Sequence, residues 1–113
     1  MAEAQNWSTI EKVVVRAGVS RRVFSGKNSM LALNEIAPGT TPSLHSHPHE
    51  QLVYIVEGDV DFVVGDQVLA MKTGDMVVVP PNVPHSLKNK GTKPCLNLDV
   101  FSPIREEYLP QRK

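Results

Sequence analysis

Three of the four histidines in this chain stand at alternate positions, His45, His47 and His49, and Gln51 continues the series. The fourth, His85, lies in a separate stretch, PPNVPHSLKN. A neutral imidazole offers a nitrogen lone pair and an amide offers a carbonyl oxygen. Such donors hold a metal ion when they meet within about 2.0–2.2 Å of one centre. An H-x-H pair alone specifies little, because histidines also occur freely at surfaces. The donors need elements that carry them to one point.

Those elements read as short strands. The segments 12–17, 21–25, 30–36, 51–57, 59–64, 67–71, 75–79 and 95–101 are rich in valine, leucine and isoleucine. Turn formers such as APGTTP, KTGD and PPNVP bound them. VVGDQV is the clearest hairpin, because Gly65 accepts the positive φ that a two-residue turn demands. No window holds a helical period over ten residues, with only the tail PIREEYLPQRK as a candidate. Many closely spaced strands predict an all-β sandwich or barrel spanning residues 1–113 as one domain. In an extended segment, side chains of equal parity share a face, so His45, His47, His49 and Gln51 are expected to point together. Pro48 interrupts the regularity, which turns His49 toward the rim in a supporting part. Glu50, of opposite parity, reads as a solvated charge unless a bulge exchanges it for Gln51.

Composition narrows the setting. Lys plus Arg (12) balances Asp plus Glu (12), so net charge gives no pull toward nucleic acid or an anionic membrane. No apolar run approaches the roughly 20 residues of a membrane helix. The start, MAEAQNWSTIEK, lacks the layout of a secretory signal. A single cysteine, Cys95, excludes an internal disulfide and reads as a buried small hydrophobe. The expectation is a cytoplasmic protein that binds neither nucleic acid nor membrane.

The spacing of the chemically useful residues carries a stronger signal. Gly39, His45, His47, Gln51 and Gly58 form one block over residues 39–58. Gly74, Pro80, Asn82, His85 and Asn89 form a second over residues 74–89. The two blocks resemble the paired signatures of the cupin superfamily, with Gln51 in place of the usual glutamate and Asn82 in place of glycine. Asparagine tolerates the left-handed conformation better than other non-glycine residues, so that turn should survive. The resemblance implies a double-stranded β-helix, or jelly-roll barrel, with His45, His47, Gln51 and His85 around one divalent metal ion per chain. A neutral amide instead of a carboxylate raises the Lewis acidity of the ion. Zinc, nickel, iron, cobalt and manganese all suit three imidazoles. Small cupins usually cover outward apolar residues by pairing, so a homodimer is expected.

The wording HSHPHEQLVYIVEGDVDFVVGD, with PPNVPHSLKN and LDVFSPIREEYL, is similar to the pectin-degradation cupins. Those proteins convert 4,5-unsaturated monouronates to linear 5-keto-4-deoxyuronates. By that match Asp99, Phe101 and Arg105 are active-site residues. Asp99 would act as general acid or base, Arg105 would clamp a substrate carboxylate with two parallel hydrogen bonds, and Phe101 would pack on the sugar ring. Asp99 and Phe101 share one face of CLNLDVF, opposite Leu96, Leu98 and Val100. A metal-dependent dioxygenase and a small-ligand binder without turnover are the other two classes open to such a site.

Overall fold

Short aliphatic runs separated by turn formers give nine strands among residues 2–109, the residues described by the computed structural model. In chain order they are β1 (Val13–Arg16), β2 (Val19–Ser25), β3 (Met30–Ile36), β4 (Gln51–Glu57), β5 (Asp59–Val64), β6 (Gln67–Lys72), β7 (Met76–Val79), β8 (His85–Asn89) and β9 (Cys95–Phe101). Eight match the expected segments, with ends shifted by a residue or two. The strand β8, HSLKN, is absent from the sequence expectation because it carries almost no β-forming side chains; its pairing with β5 makes it a strand. The tail forms only a single 3-10 turn, Glu106–Tyr108, among the described residues; residues 103–105 and Leu109 are not helical, and residues 110–113 of the candidate helix lie outside the described residues.

All strand pairs are antiparallel. One sheet runs β1-β2-β3-β9-β4-β7 and the other β6-β5-β8. The two face each other around a common core, forming a jelly roll. Among the described residues the two sheets remain separate ladders, as in the expected jelly roll. The hairpin between β5 and β6 turns at Gly65, φ 61°, and Asn82 takes φ 66°, both as the sequence requires.

Alternation builds the interior. β3 buries Met30, Ala32, Asn34 and Ile36, and β9 buries Cys95, Asn97, Asp99 and Phe101. Because β3 and β9 pair with Asn34 opposite Asn97 and Ala32 opposite Asp99, the polar members of both rows fall at the same level. Below them lies an apolar cluster drawn from both sheets, including Val53, Ile55, Val60, Phe62, Val79 and Cys95. Beyond them Met30, Ala32 and Phe101 form a second, smaller cluster. The polar residues therefore make a layer between two apolar ones.

Candidate metal centre

Gln51 opens β4, and the residues before it are irregular rather than extended. The equal-parity reading of residues 45–51 is thus corrected: Pro48 and His49 form a bend, and backbone hydrogen bonds rather than strand parity orient the histidines. His45 is held by an isolated bridge to His85, with both amides donating to the opposite carbonyl at 3.1 and 2.9 Å. The Asn82 amide donates to the His47 carbonyl at 2.7 Å, so the turn with positive φ pins the segment carrying His47. The two sequence blocks meet through these bonds.

His45, His47 and His85 come together with their ligand atoms within 4.8 Å of one another. Each Nδ1 lies beside a backbone carbonyl: Ser43 at 2.8 Å for His45, His49 at 2.9 Å for His47 and Val83 at 2.8 Å for His85. A carbonyl only accepts, so each Nδ1 carries the ring proton and each Nε2 keeps its lone pair. Imidazoles that ligate metals are oriented in this way. Burial lowers the pKa of His47 and takes that of His85 down to about 4, so His85 is neutral at pH 7.

Two observations test whether these residues fit an ion. The Nε2 of His85 is buried without a hydrogen-bond partner. Leaving such an acceptor unsatisfied costs about 1–3 kcal/mol, so its position calls for an occupant. The Nε2 of His47 lies 2.9 Å from Gln51 Oε1. With the His47 proton on Nδ1, both atoms present lone pairs. About 3 Å is the separation of two ligands that each stand about 2.1 Å from one ion at right angles. The residues fit a divalent transition ion.

His45, His85 and Gln51 line a cavity of about 300 Å³. Asp99 lines it too, and is the single carboxylate in a wall that also carries Arg16, Arg21 and Arg105. Asp99 accepts from Asn34 Nδ2 at 2.8 Å and from Asn97 Nδ2 at 2.6 Å. Burial pushes its pKa up to about 6 against these hydrogen bonds. Two donors leave about two of the roughly four acceptor positions on the carboxylate for the cavity.

Arg105 and Phe101 differ from their expected parts. Arg105 does line the cavity, but its guanidinium is engaged: Nε and Nη2 contact Glu107 at 3.3 and 3.0 Å, and Nη1 donates to the Tyr108 hydroxyl at 2.8 Å. Phe101 is fully buried behind the site, edge-on to His47 and to Tyr108 with ring centroids 5.6 Å away in each case, and is not part of the cavity wall. Tyr108 and Phe62 are the phenyl rings at the wall. His49 stands outside the triad and serves it through its backbone carbonyl, while Glu50 is exposed.

Sequence reasoning missed Arg21, Asn34, Asn97 and Tyr108. Asn97 had a signal, since it shares parity with Asp99. Asn34 had one as well, a polar residue in the inward row of an apolar strand.

Residues 32–101 match the family model of the cupin domain. The chain is a cupin. It is 27% identical over 94 residues to the pectin degradation protein KdgF of Dickeya dadantii, a match covering 81% of this chain and 84% of that one. Among solved structures, KdgF from a Halomonas species superposes with a TM-score of 0.88 at 22% identity, covering 96% of this cupin and all of that chain. An RmlC-like cupin from Shewanella frigidimarina gives 0.87 at 24% identity, covering 96% and 97% of the two chains.

Proposed function

We propose that this cupin is a metal-dependent isomerase that opens 4,5-unsaturated monouronates to linear 5-keto-4-deoxyuronates. The observation that carries this reading is the pairing of a three-histidine cluster with a cavity walled by three arginines and one aspartate. That wall favours an anionic small molecule. The likeness to a pectin degradation protein supports a sugar acid as that molecule.

His45, His47, His85 and Gln51 hold the ion, which supplies Lewis acidity toward a substrate oxygen when bound. Asp99 does the proton work. A free acceptor position on it takes the proton of the anomeric hydroxyl as the bond from C1 to the ring oxygen breaks, releasing an aldehyde and an enolate. Asp99 then returns the proton to C4, and the keto group forms at C5. No atom is gained or lost. Arg105 adds positive charge at the mouth, and Phe101 fixes His47 and Tyr108 from behind.

The test is a time course with 4,5-unsaturated galacturonate, following loss of the enol-ether absorbance. Metal-replete protein should accelerate it above the spontaneous rate and a chelator should abolish the acceleration. No acceleration by metal-replete protein would remove the enzymatic reading.

The same proposal includes a homodimer. Phe24, Leu31, Val100, Leu52 and Val78 register as one transverse row on the outer face of the six-stranded sheet. Phe24, Leu52 and Val78 in that row are exposed. Two copies of such a face cover each other isologously. Light scattering should give the mass of two chains; the mass of one would rule the dimer out.

A further inference from the structure

Arg21 is the one cavity-wall arginine whose terminal nitrogens have no protein partner among the described residues. Arg105 is committed to Glu107 and Tyr108, and Arg16 donates Nη1 to the Thr41 carbonyl at 2.8 Å. Among the described residues Arg21 donates only Nε, to Asn34 Oδ1 at 2.7 Å, and no carboxylate pairs with it. Two contacts nonetheless fix its plane. Asn34 is anchored in turn on Asp99, and the Arg21 guanidinium carbon sits 3.8 Å from the centroid of the Tyr108 ring. Arg105 lies over the same ring at 4.3 Å and holds its hydroxyl. The result is a half-buried cation, pre-oriented at the wall of the cavity, whose Nη1–Nη2 edge is free.

We infer that Arg21 is the residue that grips the substrate carboxylate, and that Arg105 is a positioning residue for the Tyr108 wall beside it. The inference rests on the uronate reading. A planar fork with two parallel donors matches a carboxylate, and a fork already held in place loses little freedom on binding. Asn34 ties the two ends of the substrate site together: one of its amide atoms holds Arg21 and the other holds Asp99. The carboxylate of a bound uronate would thereby be set at a fixed offset from the proton-transfer group.

The experiment measures binding to the metal-loaded full chain by calorimetry, using D-galacturonate, which lacks the 4,5 double bond, and its uncharged methyl ester. Wild-type protein should prefer the acid over the ester by about 10- to 100-fold, the scale of a charged hydrogen-bonded contact. Arg21→Gln should erase that preference while leaving the ester within about two-fold of wild type, and Arg21→Lys should recover part of it. Arg105→Gln should keep the preference while weakening both ligands together. A wild-type preference surviving in Arg21→Gln overturns the inference, as does equal loss of acid and ester in that variant, which marks a structural part. A wild-type protein that binds acid and ester equally also overturns it. If wild type binds neither sugar, the uronate reading fails, and cyclohexanecarboxylate decides on Arg21 separately. Its binding and loss in Arg21→Gln would uphold the carboxylate grip; its retention there, or no binding to wild type, would overturn it.

Discussion

Along the inward face of β9, Cys95 sits in the apolar cluster, while Asn97 and Asp99 on the same face belong to the polar layer. One alternation rule places all three inside, yet the two regions meet different physical demands. Val53, Ile55, Val60 and their neighbours have only shape to satisfy, and they fill the space between the sheets. In the polar layer donors and acceptors need partners, and a chain of hydrogen bonds runs from Arg21 Nε through Asn34 to Asp99 and on to Asn97. The layer leaves His85 Nε2 unpaired, beside the other imidazoles. The comparison teaches where stability and chemistry divide in this interior: the apolar cluster holds the sheets together, and the polar layer forgoes some stability to hold open a site.

That division can be broken by substitution, and the largest expected effect is on catalysis. Asp99→Asn should lower the rate of uronate opening by about 10²- to 10⁴-fold, the range of a positioned proton carrier, measured at a temperature where circular dichroism shows the variant folded. A variant that keeps wild-type turnover would move the proton work elsewhere. Ile55→Ala should act in the opposite sense, lowering unfolding free energy by about 2–5 kcal/mol in urea titrations while the folded fraction still binds metal. Cys95 sharpens the same contrast. Burial pushes its thiol from 9.0 up to about 11, which cuts its thiolate fraction at pH 8 by roughly 100-fold. Its alkylation should therefore track global unfolding and speed up in Ile55→Ala. Fast labelling of the native wild type would show the cluster to be open. Asn34→Ala should have the smallest effect on stability, about 1–3 kcal/mol, since it strips one partner each from Arg21 and Asp99. It should also weaken uronate binding, and unchanged binding would uncouple Arg21 from the site.

The strands were legible because apolar residues alternate or run together between turn formers, and the turns at Gly65 and Asn82 were legible from the conformations those residues tolerate. Pairing His45 and His47 with His85 was legible from the resemblance of the two blocks to the cupin signatures. How they converge was not, since a bend at Pro48 and hydrogen bonds to Ser43, His49 and Val83 do the orienting, and none has a sequence signature. β8 was hidden because His85, Ser86 and Asn89 are polar yet buried, so the strand shows no hydrophobic pattern. Arg21 was hidden for a related reason. In RRVFS nothing distinguishes one arginine from the next until the register of β2 on β3 sets Arg21 opposite Asn34. Tyr108 reaches the cavity only because the tail forms a turn instead of a helix.

The central claim is that His45, His47 and His85 are metal ligands, and elemental analysis of exhaustively dialysed protein tests it most directly. Wild-type chain exposed to zinc or nickel should retain one divalent ion per chain. His85→Ala, checked as folded by circular dichroism, should retain almost none. Stoichiometric metal in folded His85→Ala, or a wild-type chain that holds no metal after loading, would contradict the account.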